Sequence, residues 1–181
     1  MIARESEFTR PRSDCPFPER WTAADAHSAE LEVSELVGAF VRALQPDYVV
    51  ETGTCWGQTA EAIGRALKAN GQGRLVTLEV EPEKIRKSAE RCADLPVDVL
   101  ALSSLTFTPE QPIDFAWFDS LLELRVPEFE RYRPWLRPGA IVGFHDTGPQ
   151  FGSFAALIER IEGLRVIKLP TPRGVTFGEV L

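Results

Sequence analysis

The stretch "YVVETGTCWGQTAEAIGRAL", Tyr48 to Leu67, decides the fold. It begins as an apolar run rich in β-branched residues and ends that run on an acid, Glu51. Small residues follow, Gly53 and Gly57 among them, and then apolar residues at helical spacing. A strand that runs through a glycine loop into a helix is the natural cradle of an open α/β sheet. There a ligand sits beyond the carboxyl ends of the strands. Gly53 and Gly57 let the backbone turn tightly and approach a ligand closely. The helix behind them offers free N–H groups and a positive dipole end, which suit a phosphate or a carboxylate.

Outward from this stretch, strands and helices alternate. "SAELEVSELVGAFVRAL" places Val33, Leu36, Val37, Phe40, Val41 and Leu44 on one helical face, with Ser28 as the expected cap and Gln45-Pro46 as the stop. "QTAEAIGRALKAN" closes on Asn70-Gly71, and "PEKIRKSAERC" carries Pro82 in its first turn. Strands are expected at "RLVTLEVE", "VDVLALS", "IDFAWFDS", "GAIVGFHD", "LRVIKLP" and "GVTFGEVL". Further helices are expected at "VPEFERYRPWL" and "SFAALIERIEG". The link "SLTFTPEQP" is too short for a crossover helix. This alternation predicts an α/β doubly wound, seven-stranded, mostly parallel sheet. The last two strands share the short turn "TPRG" and are therefore an antiparallel hairpin.

The 181 residues suit one domain, with 44% hydrophobic residues to fill its core. Residues 1–27 are read as an N-terminal arm, loosely docked or acting as a lid, and residues 28–181 as the domain. A net charge of -7 disfavours nucleic acid as a general partner. No apolar run approaches the roughly 18 residues of a membrane helix, and "MIARESEFTRPRSDCPFPER" has no secretory core. The three cysteines, Cys15, Cys55 and Cys92, show no metal-type spacing, and a reduced, cytoplasmic setting is expected.

The loop lacks GxxxxGK[ST] and misses GxGxxG at Cys55 and Gln58, which argues against a nucleoside triphosphate or a dinucleotide held in those ways. What remains is acid-x-Gly-x-x-x-Gly-x-Thr, with a second acid, Glu79, at the end of the next strand. In this the sequence resembles the class I S-adenosylmethionine-dependent methyltransferases. Within them it is most similar to small O-methyltransferases of the catechol type and their sugar- and antibiotic-modifying relatives. "VVETGTCWGQT" resembles the first motif and "LVTLEVEPEK" the second; "IDFAWFDS" and "LRPGAIVGFHDT" resemble the fourth and fifth strands. The likeness runs from about Val33 to Leu181 and implies a Rossmann-like methyltransferase fold. It implies an enzyme that methylates a hydroxyl of a small-molecule acceptor. The alternative is a cofactor-binding subunit or scaffold without transfer activity. A domain without a cap often borrows a neighbour, which is compatible with a homo-oligomer without requiring one.

The resemblance implies roles for single residues. Glu51 would face the methionyl amino group. Gly53, Thr54 and Gly57 would let the cofactor lie against the backbone, so that a branched side chain at Gly53 would fill the cofactor's place in a folded protein. Thr59 would meet the cofactor carboxylate, Glu79 both ribose hydroxyls, and Ser104 the adenine. Taken without the resemblance, Glu51 also reads as a helix-capping acid and Ser104 as a turn former. Of Glu79 and Glu81, Glu79 is expected to face the site, because it aligns with the family acid.

Asp119 ends the fourth strand, and His145 and Asp146 end the fifth. As metal ligands these three would hold Mg²⁺ or another divalent ion that orients the acceptor hydroxyl. The resemblance places all three near the reacting methyl, with Asp119 also against the cofactor; in a metal-free site His145 would be the general base, oriented by Asp119 or Asp146. As structure, Asp146-Thr147 would cap the helix near Phe151, with His145 a buried, satisfied histidine.

Overall fold

The computed structural model describes residues 18–25 and 28–181, so most of the 1–27 arm lies outside the described residues. The strands are β1 (Tyr48–Thr52), β2 (Arg74–Glu79), β3 (Val97–Ala101), β4 (Ile113–Phe118), β5 (Leu136–His145), β6 (Leu164–Leu169) and β7 (Val175–Val180). The helices are α1 (Leu31–Leu44), α2 (Gln58–Asn70), α3 (Pro82–Arg91), α4 (Arg125–Tyr132) and α5 (Ser153–Ile158). All seven strands form one sheet in the order β3-β2-β1-β4-β5-β7-β6. The first five are mutually parallel, and β7 runs antiparallel to both β5 and β6. The sheet is the one expected, hairpin included.

Period-two alternation assigns the two faces. Val49, Phe115 and Trp117 pack with Val33, Val37, Ile63 and Leu67 beneath α1 and α2. Val50, Ala116 and Phe118 pack with Phe129, Tyr132 and Phe144 on the α4 side. Each fully buried aliphatic or aromatic side chain contributes roughly 1.5–3 kcal/mol, so these two clusters hold the scaffold rigid beneath its carboxyl edge. Strand order reverses between β1 and β4. There Asp119 N–H donates to Thr52 O at 3.0 Å, joining the two loops at the switch point.

Helix ends follow local chemistry with some departures. Gln45 and Gly71 terminate α1 and α2 in left-handed conformations, φ 51° and 73°. Ser28 does not cap α1. Glu30 holds the cap position, and the first N–H, that of Leu31, is taken by Thr22 O at 2.8 Å. The helix expected over 153–163 is regular only to Ile158, and β5 starts at Leu136, earlier than Gly139, because Leu136 pairs with Ile113. No helix interrupts the β3–β4 link, as the length of that segment requires. Among the described residues, no helix is long and apolar enough to cross a membrane.

Candidate functional site

Three acids converge where β1, β2 and β4 end. Glu51 is fully buried; its carboxylate accepts from Thr77 Oγ1 at 2.6 Å, and Thr54 lies 2.6 Å from the same hydroxyl. Since Thr77 gives its single proton to Glu51, Thr54 donates to Thr77. Desolvation pushes the Glu51 pKa up to about 8 against the pull of that hydrogen bond, and the charges of Asp119 and Glu79 add to the rise. Glu79 faces the loop: Oε2 accepts from Cys55 N–H at 2.9 Å, and Oε1 from Val80 and Glu81 N–H at 2.7 and 3.1 Å. Glu81 instead pairs with Lys84 at the surface.

The loop is left-handed at Gly53 (φ 81°), Cys55 (φ 49°) and Gly57 (φ 79°). A Cβ on Gly53 would lie 2.4 Å from the Asp119 carbonyl oxygen and 2.8 Å from Ser120 Cα. Gly53 is therefore required by the approach of the β4 loop. The expectation that a side chain there would project into the cofactor's place is corrected. A Cβ on Gly57 would come 2.9 Å from Ser88 Cβ, so this glycine seats α2 against α3. The N-terminal segment reaches the same loop: Trp56 Nε1–H donates to Asp25 at 2.9 Å while Lys87 Nζ lies 4.7 Å from the ring centre.

The second group gathers at the ends of β4 and β5. Asp119, His145 and Asp146 come together, with ligand atoms within 4.8 Å of one another. His145 is fully buried. Its Nδ1 is 3.1 Å from Asp119 Oδ1 and its Nε2 2.7 Å from Glu30 Oε2. Burial alone would lower its pKa, but the charges of Asp119 and Asp146, with hydrogen bonds to Asp119 and Glu30, raise it to about 10. Arg125, 2% exposed, donates Nη2–H to Asp119 Oδ1 at 3.1 Å and Asp146 Oδ2 at 2.8 Å, and Nη1–H to His145 O. Arg173 donates to the other oxygen of Asp146. Asp146 sits at φ 57°, a conformation sparsely populated by non-glycine residues and held here by two arginines. It does not cap the next helix, whose N-cap is Gly152.

Glu30, Arg125 and Arg173 were not among the residues singled out from sequence. For Arg125 there was a signal: it shares the buried face of α4 with Glu128, Phe129 and Tyr132, at i, i+3, i+4 and i+7. Glu128 occupies the same face. Its carboxylate accepts from Thr52 Oγ1 at 2.8 Å and from Ser104 Oγ, so the Ser104 hydroxyl expected beside an adenine is turned inward. The Thr59 hydroxyl meets Ser34 Oγ of α1 at 3.0 Å.

A cavity of about 250 Å³ lies between Pro46, Asp114, Arg137 and Ile141, at the amino ends of the strands. A ligand of a doubly wound sheet belongs at the other edge, where the acids and glycines are.

A family model described as a methyltransferase domain matches residues 50–147, just over half of the chain. No curated protein matches. Among solved structures, an O-methyltransferase from Bacillus cereus in complex with S-adenosylhomocysteine is 21% identical, with a TM-score of 0.73 over 87% of this chain and 84% of that one. The S-adenosylhomocysteine-bound Podospora anserina methyltransferase PaMTH1 is 19% identical, with a TM-score of 0.75 over 87% and 81%. The S-adenosylmethionine complex of the O-methyltransferase TomG from Streptomyces achromogenes is 21% identical, with a TM-score of 0.70 over 86% and 82%.

Proposed function

Because the chain belongs to the methyltransferase-domain family, we propose that it moves the methyl group of S-adenosylmethionine onto a hydroxyl of a small molecule. The observation that carries this reading is the acidic edge beside the Gly53 loop. Glu51, Glu79 and Asp119 face one another there, and Glu51 has no cationic partner among the described residues. An ammonium and a sulfonium suit such an edge, so the residues fit the cofactor. The S-adenosylhomocysteine and S-adenosylmethionine held by the similar structures support the same choice.

The cofactor, when bound, supplies an electrophilic methyl carbon with a good thioether leaving group. This chain's residues bind and orient. Glu51 receives the amino group and Glu79 the ribose hydroxyls, with Gly53 and Thr54 shaping the loop. Asp119, its side chain 13% exposed, is the cluster member that reaches the open side and can orient an acceptor hydroxyl or take its proton. His145 acts behind it. An imidazolium with carboxylates at both ring nitrogens fixes Asp119 and is not a free base. The divalent metal that the resemblance implies is not part of this reading, because Oδ1 of Asp119 and both oxygens of Asp146 are already bonded to guanidinium and imidazolium groups. A second reading, a cofactor-binding subunit that transfers nothing, draws on the helix-free β3–β4 link, which leaves little to cover an acceptor. Release of S-adenosylhomocysteine from S-adenosylmethionine over a panel of phenols, sugars and other small alcohols tests the choice. Turnover on any of them supports transfer, and tight binding with no turnover on the whole panel supports the subunit.

Two outcomes follow for binding. Glu79→Ala is expected to weaken S-adenosylhomocysteine binding by about 1.5–3 kcal/mol, since charge-assisted hydrogen bonds are lost. An unchanged calorimetric Kd would remove the ribose assignment. Glu51, with its pKa at about 8, is largely protonated at neutral pH and must ionise to hold an ammonium. Binding should therefore tighten as pH rises towards 8 and release close to one proton near neutrality, measured by calorimetry in buffers of different ionisation enthalpy. Glu51→Gln should abolish the release. Proton release unaltered in that variant would place the amino group elsewhere.

A further inference from the structure

We propose that Arg125 stands, as a permanent cation, in the place between β4 and β5 that a divalent metal would otherwise take, and that Asp119 and Asp146 become a metal site only when this guanidinium is removed. The geometry is that of a bridging cation. A single nitrogen, Nη2, lies 3.1 Å from Asp119 Oδ1 and 2.8 Å from Asp146 Oδ2, so it joins the two carboxylates across the strand ends. The rest of the guanidinium is anchored to the same loops, through Nε and Nη2 to Ser120 O and through Nη1 to His145 O.

Most of the donor set is taken: of the carboxylate oxygens of Asp119 and Asp146 only Oδ2 of Asp119 is left, and one oxygen alone does not make a metal site. The second oxygen of Asp146 accepts from Arg173, and the two ring nitrogens of His145 rest on Asp119 and Glu30. Three carboxylates, those of Glu30, Asp119 and Asp146, thus face the guanidinium groups of Arg125 and Arg173 and the imidazole of His145. A guanidinium cannot be deprotonated in a protein, and its rigid fork matches carboxylate geometry. Mg²⁺ gives up its waters reluctantly and keeps several of them in most sites. The side chains of Arg125, Asp146 and His145 are 2%, 5% and 0% exposed, so only the Asp119 side, at 13%, could carry any of that shell. Like the cluster itself, this inference does not depend on the identity of the acceptor.

The test uses the whole chain and Mn²⁺ as the probe. In chelator and then in millimolar MnCl2, the wild type should show the same melting temperature and the same S-adenosylhomocysteine affinity within twofold. The paramagnetic resonance signal of free Mn²⁺ should be undiminished. Arg125→Met should melt lower, take up about one Mn²⁺ per chain, and recover several degrees of melting temperature in its presence. Adding Asp119→Asn to that variant should remove the response. Stoichiometric Mn²⁺ uptake by the wild type overturns the proposal, and so does a folded Arg125→Met protein that ignores Mn²⁺. Should Arg125→Met fail to fold, the wild-type titration decides alone.

Discussion

A Gly53→Val protein is expected to lose S-adenosylhomocysteine binding and to melt well below the wild type. Two costs add at this position. The residue sits at φ 81°, where a β-branched side chain is strained. Its Cβ would also lie 2.4 Å from the Asp119 carbonyl oxygen, which is backbone and cannot swing aside. The loops after β1 and β4 must part, which displaces Asp119 from the Glu51 end of β1. Overpacking and left-handed strain together amount to about 2–5 kcal/mol. Gly71→Ala is the matched control: it has a similar φ of 73° and nothing within 4 Å of the new atom. That variant should lose only about 1 kcal/mol and bind normally. Urea denaturation of both variants separates the clash from the backbone angle. A Gly53→Val protein of wild-type stability would show that the two loops are not locked together.

His145→Ala is expected to cost about 3–5 kcal/mol, the usual penalty for leaving buried charges without their partner. It should also change how stability depends on pH. The folded-state pKa, about 10, lies above the ordinary 6.5. The imidazolium's contribution is therefore complete below about 6.5 and is lost as pH rises through 10. The wild type should lose stability across that window, and His145→Ala should lose markedly less. Glu51 adds a fall of its own between 4.5 and about 8, so the comparison is best made on the alkaline side of 8. Equal pH slopes in the two proteins above pH 8 would mean that His145 is neutral in the folded state. Turnover should fall as well, because Asp119 loses the partner that fixes it.

The succession of strands and helices, the mostly parallel sheet and its terminal hairpin were legible in the sequence because they depend on local pattern. Apolar runs mark the strands. Gly71 and Pro82 punctuate the helices, and Glu79 closes its strand whereas Glu81 lies beyond the strand end, at the start of α3. The ionic cluster depends on tertiary placement. Glu30 is 115 residues from the His145 it binds, and before α1 it reads as an ordinary first-turn acid. Arg125 opens a helix whose polar face also carries charge, so only its periodic position among Glu128, Phe129 and Tyr132 hints at burial. Thr59 opens α2 and Ser104 lies just past β3, but packing against Ser34 and Glu128 decides where their hydroxyls point. The same competition explains Ser28: with Glu30 at the cap position and drawn to His145, α1 begins without a side-chain cap.

If the acidic carboxyl edge of this sheet holds S-adenosylmethionine, the isolated chain binds the product S-adenosylhomocysteine without any acceptor. Calorimetric titration of the wild type with S-adenosylhomocysteine, beside a parallel titration with NAD(H), tests it most directly. The expected result is one S-adenosylhomocysteine per chain, with Glu79→Ala weakening it, and no heat from NAD(H). Saturable NAD(H) binding with none for S-adenosylhomocysteine would contradict it.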